Sequence, residues 1–406
     1  MRSAFRKYAL VWCVLVGGPL LIVAALNLTI DPFRVHRVIQ IESLAPYIDN
    51  GRGRTSKAEM MELAPWHTII LGSSRAENGF DPALPLWGPE LVLNAGLGGP
   101  NLWEIGHVFR YAVTHTPVRR VVLCVDFLMF DGRSTGAMDF SQSRFDPLTN
   151  PLEYRLGHLF GYRATRASID TLIRCRAGVE PIRTDRGFRV WERRPPRKAL
   201  GHRRWFDMVV LEYTDPIDTN SYYGYTYSPS RLDVFAEIVA TCRARNIELL
   251  VLIPPVHANQ LETVRVAGVW DTFETWKRDL VRLLREDAAG HAGRAAYALW
   301  DFTGYAEPLT EPIPAEGDLQ TSMQWFWEAS HFKKPLGDLA LARIFGQPAG
   351  DGDGEPALGV RLTDENIESH LARTRTDHER YAEAHPDEIA RIERLAREAW
   401  ARARHR

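Results

Sequence analysis

Three short stretches of this sequence carry residue types that can act together on one substrate. The first is Ile70-Leu71-Gly72-Ser73-Ser74-Arg75. A Gly-x-Ser turn after an apolar run presents a hydroxyl at the carboxyl end of a strand, where open α/β sheets bind ligands. The plainer reading is that such serines cap the next helix. The second is Asn94-Ala95-Gly96-Leu97-Gly98-Gly99-Pro100-Asn101. Backbone N–H groups of a glycine-rich loop can approach an oxyanion closely because no side chain intervenes. The same residues suit a tight strand-to-helix turn in which Pro100 starts the helix. The third is Trp327-Glu328-Ala329-Ser330-His331-Phe332. A carboxylate three residues before a histidine can orient the imidazole and stabilise its cation, and the histidine can then deprotonate a serine. Alone, Glu-x-x-His is equally a surface helix pair or a structural hydrogen bond. The three stretches in this order form a workable set for nucleophilic catalysis.

Such a set needs a sheet to position it. Apolar runs at His67–Leu71, Leu91–Leu93, Val121–Val125, Leu249–Ile253 and Ala296–Trp300 read as strands, and their continuity suits a sheet covered on both faces. Between them, Leu102, Ile105, Phe109, Ala112 and Val113 share one helical face. So do Leu232, Phe235, Ile238, Val239 and Cys242, after Ser228 and Pro229 at cap and first-turn positions. Phe273, Trp276, Leu280, Leu283 and Leu284 make a third face, preceded by Asp271 and Glu274 as a capping box. This alternation predicts an α/β fold with a mostly parallel, doubly wound sheet.

The segment from about residue 130 to 227 breaks the rhythm and reads as an insertion within a main domain at 31–346. Its basic runs, Arg193–Lys198 and His202–Arg204, read as solvated surface or as a contact for anionic polysaccharide or lipid headgroups. Residues 347–356 read as a linker. Asp351, Asp353 and Glu355 there lack the spacing of a calcium loop, and no metal or cofactor is expected. Residues 357–406 form a C-terminal helical extension, with Ile367 and Leu371 on one helix, Ile389, Ile392 and Leu395 on another, and Pro386 between them. These helices suit packing on the main domain or on a partner. Charged residues make up 25% of the chain and its net charge is −1, which gives no sign of a nucleic-acid partner. Four cysteines without CxxC or metal spacing exclude a disulfide scaffold and leave one Cys175–Cys242 bridge permitted.

Arg2, Arg6 and Lys7 precede an uncharged apolar run at 8–30, long enough to span a bilayer. Positive charge before the run predicts a cytoplasmic N-terminus, a single-pass helix in the inner or cytoplasmic membrane, and an extracytoplasmic (periplasmic) main domain. A cleaved signal peptide is the rival reading, but no clear small-x-small site closes the run.

Gly72-Ser73-Ser74, the Asn94–Gly99 loop and Glu328-x-x-His331 together resemble the SGNH/GDSL hydrolase superfamily, and most nearly its membrane-anchored DltD-like and alginate O-acetylation-like branches. The resemblance covers roughly residues 65–345. It implies a three-layer α/β/α, flavodoxin-like domain that transfers or removes acyl groups on extracytoplasmic polymers, often beside a membrane-bound O-acyltransferase. It implies Ser74 as nucleophile with Ser73 as fallback, Gly99 as an oxyanion donor, His331 as base and Glu328 as its orienting acid. Two departures stand out. Glu328 replaces the family's usual Asp and is longer by about one C–C bond, near 1.5 Å. Asp126 stands where the family has Asn after its third strand, and it donates to an oxyanion only if burial keeps it protonated; otherwise it positions Ser74 or His331. The expectation is therefore an O-acyltransferase or esterase acting on an exopolysaccharide or cell-envelope polymer. The alternative is a non-catalytic SGNH-like module that binds polysaccharide or scaffolds a synthesis complex.

Overall fold

Apolar runs become strands here because each is covered on both faces. A computed structural model of the protein describes residues 6, 8, 10–48, 53–193, 200–346 and 358–404. Arg2 and Lys7, the basic residues 194–198, and the expected linker with Asp351, Asp353 and Glu355 lie outside the described residues. Apart from short turns of helix, the first elements are α1 (Gly18–Ile30), α2 (Arg54–Met61), β1 (Thr68–Leu71), α3 (Ser74–Gly79), β2 (Val92–Asn94), α4 (Leu102–His115) and β3 (Arg120–Cys124). There follow α5 (Pro151–Phe160), α6 (Tyr162–Ala177), α7 (Gly201–Tyr213), α8 (Pro229–Ala244), β4 (Glu248–Ile253), α9 (Ala258–Val266), α10 (Trp270–Ala289) and β5 (Ala298–Asp301). The last are β6 (Phe326–Glu328), β7 (His331–Phe332), α11 (Lys334–Ile344), β8 (Val360–Leu362), α12 (Ile367–Ala384) and α13 (Pro386–Ala403).

The main sheet runs β2-β1-β3-β4-β5-β8. Its first five strands are parallel, and β8 joins β5 antiparallel. The five expected strands are all present, with ends shifted by one or two residues. The chain leaves β1 for β2 on one side and returns to lay β3 on the other. A parallel sheet opens a crevice at such a reversal, beyond the carboxyl ends of the two strands. Leu71 at the end of β1 lies in register with Leu123, one residue before the end of β3.

Two compact units divide the chain. One holds Met1–Leu63, Met138–Asp185 and Arg189–Arg193; the other holds Ala64–Ala137, Arg186–Phe188 and Arg194–Arg406. The segment read as an insertion is thus shared between them. In the first unit, the helix Leu10–Ile30 has 21 residues and is long and apolar enough to cross a membrane. A π-helical turn at Cys13–Gly17 precedes Pro19, whose ring cannot supply an N–H. In the second unit, which holds the sheet, α13 packs on α7 and α9. Arg391 holds Asp207 through bonds of 2.6 and 2.7 Å.

Local signals in the sequence fared less well than the strands. Ser228 precedes α8 but makes no side-chain cap, and its hydroxyl lies 2.9 Å from that of Ser230. The Asp271–Glu274 capping box does not form, because α10 begins at Trp270 and Glu274 instead accepts from Trp270 Nε1 at 2.8 Å and from Arg375 at 2.7 Å. Pro100 does not start a helix; Asn101 caps α4 by accepting from the Glu104 N–H at 3.0 Å. Cys175 and Cys242 are free thiols, so the permitted bridge is not made. Burial pushes the Cys242 thiol up to about 12.

Candidate active site

Gly72 makes the turn after β1 possible. A side chain there would meet the Cβ atoms of Cys124 and Ala76 at 2.7 and 2.9 Å, and φ at this residue is +153°. The next residue, Ser73, is the helix cap: its Oγ accepts from the Arg75 N–H at 3.1 Å. The capping role expected of a serine here therefore falls on Ser73. Ser74 begins α3 with its hydroxyl uncommitted to the cap and half-buried.

The Ser74 Oγ lies 2.8 Å from His331 Nε2. His331 stands on β7 and Glu328 at the end of β6, paired across a two-stranded antiparallel hairpin with Ala329 and Ser330 at the turn. The Glu328 carboxylate accepts from His331 Nδ1 through Oε1, and from the Ser330 N–H through Oε2 at 2.7 Å. The Ser330 hydroxyl sits 2.9 Å from the same Nδ1. A carboxylate that only accepts fixes the proton on Nδ1 and leaves the Nε2 lone pair for the serine hydroxyl. The imidazole is 16% exposed and the carboxylate 3%, so the acid is sheltered while the base faces its crevice.

Tethers hold the hairpin to α3 and to the start of α9. Arg75 Nε donates to the Ser330 carbonyl at 2.8 Å, and the His257 N–H donates to that of Ala329 at 2.9 Å. Behind them α11 crosses α3 at a glycine pair: a methyl group on Gly337 would overlap the Gly79 carbonyl, and one on Gly79 would overlap the Phe332 ring. Asn94 ties the glycine loop to the same helix, donating to the Ala76 and Phe80 carbonyls at 2.7 and 2.8 Å and accepting from Gly96 N–H at 2.9 Å. Nucleophile and base thus come from opposite ends of the chain onto one packed block.

No family model matches the chain, and no curated protein matches it. The reading of the site therefore rests on its geometry.

Two of the expected residues stand apart from the Ser74–His331 pair. Gly99 adopts φ +52°, a left-handed conformation that favours glycine, and makes no hydrogen bond to Ser74 or His331 among the described residues. Asp126, at the end of β3, is ion-paired with Arg75 Nη1. Burial opposes the guanidinium's charge, but the Asp126 carboxylate outweighs it and holds Arg75 above its ordinary value. In this pair Asp126 accepts from the Arg75 guanidinium. It positions Arg75, and through Arg75 the His331 hairpin.

Arg75 is the residue that sequence reasoning missed. It lies inside the serine motif, but its two partners are 51 and 255 residues away. A neighbouring Cys124 is no rival nucleophile, since burial raises its thiol well above the ordinary range. Among the described residues, no group of three or more His, Cys, Asp or Glu is placed to hold a metal ion.

Proposed function

We propose that this chain is a serine-dependent O-acyltransferase or esterase of SGNH type, anchored in the membrane by its N-terminal helix and acting on an extracytoplasmic polysaccharide or cell-envelope polymer. The observation that carries the reading is the Ser74–His331–Glu328 chain, with Oγ 2.8 Å from Nε2 and Nδ1 on a buried carboxylate. The strand order 2-1-3-4-5 supports a flavodoxin-like core, and the serine sits at its switch point. In the first step Nε2 takes the hydroxyl proton as Oγ bonds to the acyl carbonyl carbon. The imidazolium, stabilised by Glu328, returns the proton to the departing oxygen as its bond to the acyl carbon breaks. An acceptor hydroxyl, from a sugar or from water, then repeats the sequence in reverse. Gly99 is the proposed backbone donor to the tetrahedral oxyanion, reached once substrate fills the crevice. A membrane-bound O-acyltransferase is the natural supplier of the acyl group.

A fluorophosphonate probe tests this directly. The full-length protein is expected to take one covalent adduct on Ser74, lost in Ser74→Ala and strongly slowed in His331→Ala. No adduct on the wild type would favour the non-catalytic polymer-binding module, and an undiminished one on Ser74→Ala would move the nucleophile to Ser73 or end the serine mechanism.

A further inference from the structure

α5 and α6 form a helical hairpin that turns an apolar side outward. On α5, Leu152, Leu156 and Phe160 recur every fourth residue and so share one face, and all three are exposed, Leu152 at 65%. On α6, Tyr162, Ile169, Leu172 and Ile173 are exposed, Tyr162 at 77%. The opposite side of α6 is small and polar: Ala164, Ser168 and Thr171 are its buried residues. Scattered surface leucines need no explanation, but seven exposed apolar residues on two consecutive helices do.

Both helices pack on α1 within the same unit. Asn27 of α1 is fully buried between them. Its Nδ2 donates to the Leu159 carbonyl at 2.9 Å and to Thr165 Oγ1 at 3.1 Å, and its Oδ1 accepts from Ser168 Oγ at 2.9 Å. The small residues of α6 let the two backbones approach, as they do between helices in bilayers. Asp31 stops α1 with φ 42°, its carboxylate accepting the N–H groups of Val35, His36 and Arg37 at 2.9, 2.9 and 2.6 Å. The residues of α1 buried in the unit are Ala24, Asn27 and Ile30, which places the hairpin within roughly 10 Å of the end of the apolar span at 1.5 Å per residue.

We infer that the α5–α6 hairpin is a second membrane contact, lying in the plane of the interface beside the anchor with Leu152, Leu156, Phe160 and Ile173 in the acyl region. The inference rests on the anchor reading above. Lipid is the occupant that fits, for two reasons. The hairpin packs on α1, which is part of the helix long and apolar enough to cross a membrane and exposes Leu20, Leu21 and Ile22. The hairpin also carries Arg155, Arg163, Arg166, Arg174 and Arg176 against only Glu153 and Asp170, a balance suited to anionic headgroups. A lone spanning helix lets a domain swivel, whereas two contacts fix the angle of this unit to the bilayer.

Nitroxide labels on the full chain in nanodiscs of phosphatidylglycerol and phosphatidylethanolamine provide the test. Cys13 and Cys175 are replaced by serine, the buried Cys124 and Cys242 stay unlabelled, and single cysteines are placed at Leu152, Phe160, Ile173 and, as reference, Leu21. All four substituted positions are exposed on the protein, so labelling leaves its packing intact. The expected result is collision with oxygen over a nickel chelate at the hairpin positions, at a depth of about 5–10 Å. Free collision with nickel there, while Leu21 reads bilayer, overturns the hairpin contact and leaves the anchor standing. Exclusion of both reagents overturns it in favour of a protein partner. Nickel access at Leu21 as well means that the anchor reading has failed, and the hairpin contact with it.

Discussion

Glu328 serves two donors at once, and this is where an aspartate and a glutamate differ. One carboxylate oxygen takes His331 Nδ1 and the other takes the Ser330 N–H at 2.7 Å. The extra methylene lets the carboxylate curl back over its own turn, so the hairpin absorbs the added length. Glu328→Asp withdraws the carboxylate by about 1.5 Å and leaves one of the two buried donors unmet, a loss of roughly 1–3 kcal/mol. Although it restores the residue usual in the family that the sequence resembles, it is expected to slow probe acylation about 10- to 100-fold. Glu328→Gln is expected to fold normally and lose more, on the order of 10³-fold or beyond, since an amide stabilises the imidazolium poorly and can impose the wrong tautomer. Wild-type rates in Glu328→Asp would show that His331 is oriented without this carboxylate. At this scale the site was largely legible. Ser74, Glu328 and His331 are polar residues in fixed local patterns, and the structure brings them together. Arg75, and its pairing with Asp126, were not legible, because a buried ion pair depends on which strands become neighbours.

Among the elements, legibility followed burial. β1 is buried at every residue and announces itself as an apolar run. β8 has three residues at a sheet edge, with Arg361 exposed, and leaves no such trace. The β6–β7 hairpin is equally short, and its Glu-x-x-His spacing reads as easily as a helix. The capping box failed where other partners took its carboxylate: Glu274 accepts from Trp270 one turn back and from the distant Arg375. What fixes α3 against α11 is a glycine pair whose partners are far apart in sequence. Gly337→Ala puts a methyl into the Gly79 carbonyl, and such overpacking typically destabilises by about 1–3 kcal/mol. Since α3 carries Ser74 and α11 follows His331, the variant is expected to lower both the denaturation midpoint and the probe-labelling rate. An unchanged rate in a destabilised protein would separate this packing from catalysis. His257 gives the region its acid sensitivity. It caps α9, accepting from the Asn259 N–H at 3.1 Å, and donates to the Glu311 carbonyl at 2.8 Å. Burial lowers its pKa from 6.5 to about 4. The unfolded chain therefore binds a proton here before the native one does. The stabilisation is complete above pH 6.5 and is lost as pH falls toward 4, by up to roughly 3 kcal/mol. Asp301, held below the usual carboxylate range against burial by Lys277 and His370, weakens the fold only at still lower pH. Denaturant midpoints from pH 7 to 4.5 should fall more steeply for the wild type than for His257→Gln; parallel curves would assign the acid loss to other groups.

The whole molecule combines a feature plain in the sequence with one that is hidden. An uncharged run of this length gives a helix long and apolar enough to cross a membrane, but nothing local shows that Met138–Asp185 returns to the same unit as that helix. Asn27 finds its partners at Leu159, Thr165 and Ser168, more than 130 residues on, and no periodicity records such a pairing. The pairing bears on the choice between anchor and cleaved signal. Ala24, Asn27 and Ile30 are built into the unit, so cleavage after Ala25 would cut through a packed helix and leave Asn27 as the second residue, next to a charged new terminus. An uncleaved helix with basic residues before it is expected to leave the rest of the chain outside the cytoplasm. A phosphatase reporter fused after Arg406, active only outside the cytoplasm, is expected to be active on the intact chain, and the mature protein should still begin upstream of the apolar run. Activity of a cytoplasm-only reporter at the same position would reverse the topology. A mature terminus after Ala25 would leave the orientation standing but remove the anchor. An Asn27→Leu variant then tells the two roles of α1 apart. It keeps the span apolar, so orientation should be unchanged, while the loss of three buried hydrogen bonds should loosen the helical hairpin and raise its susceptibility to limited proteolysis.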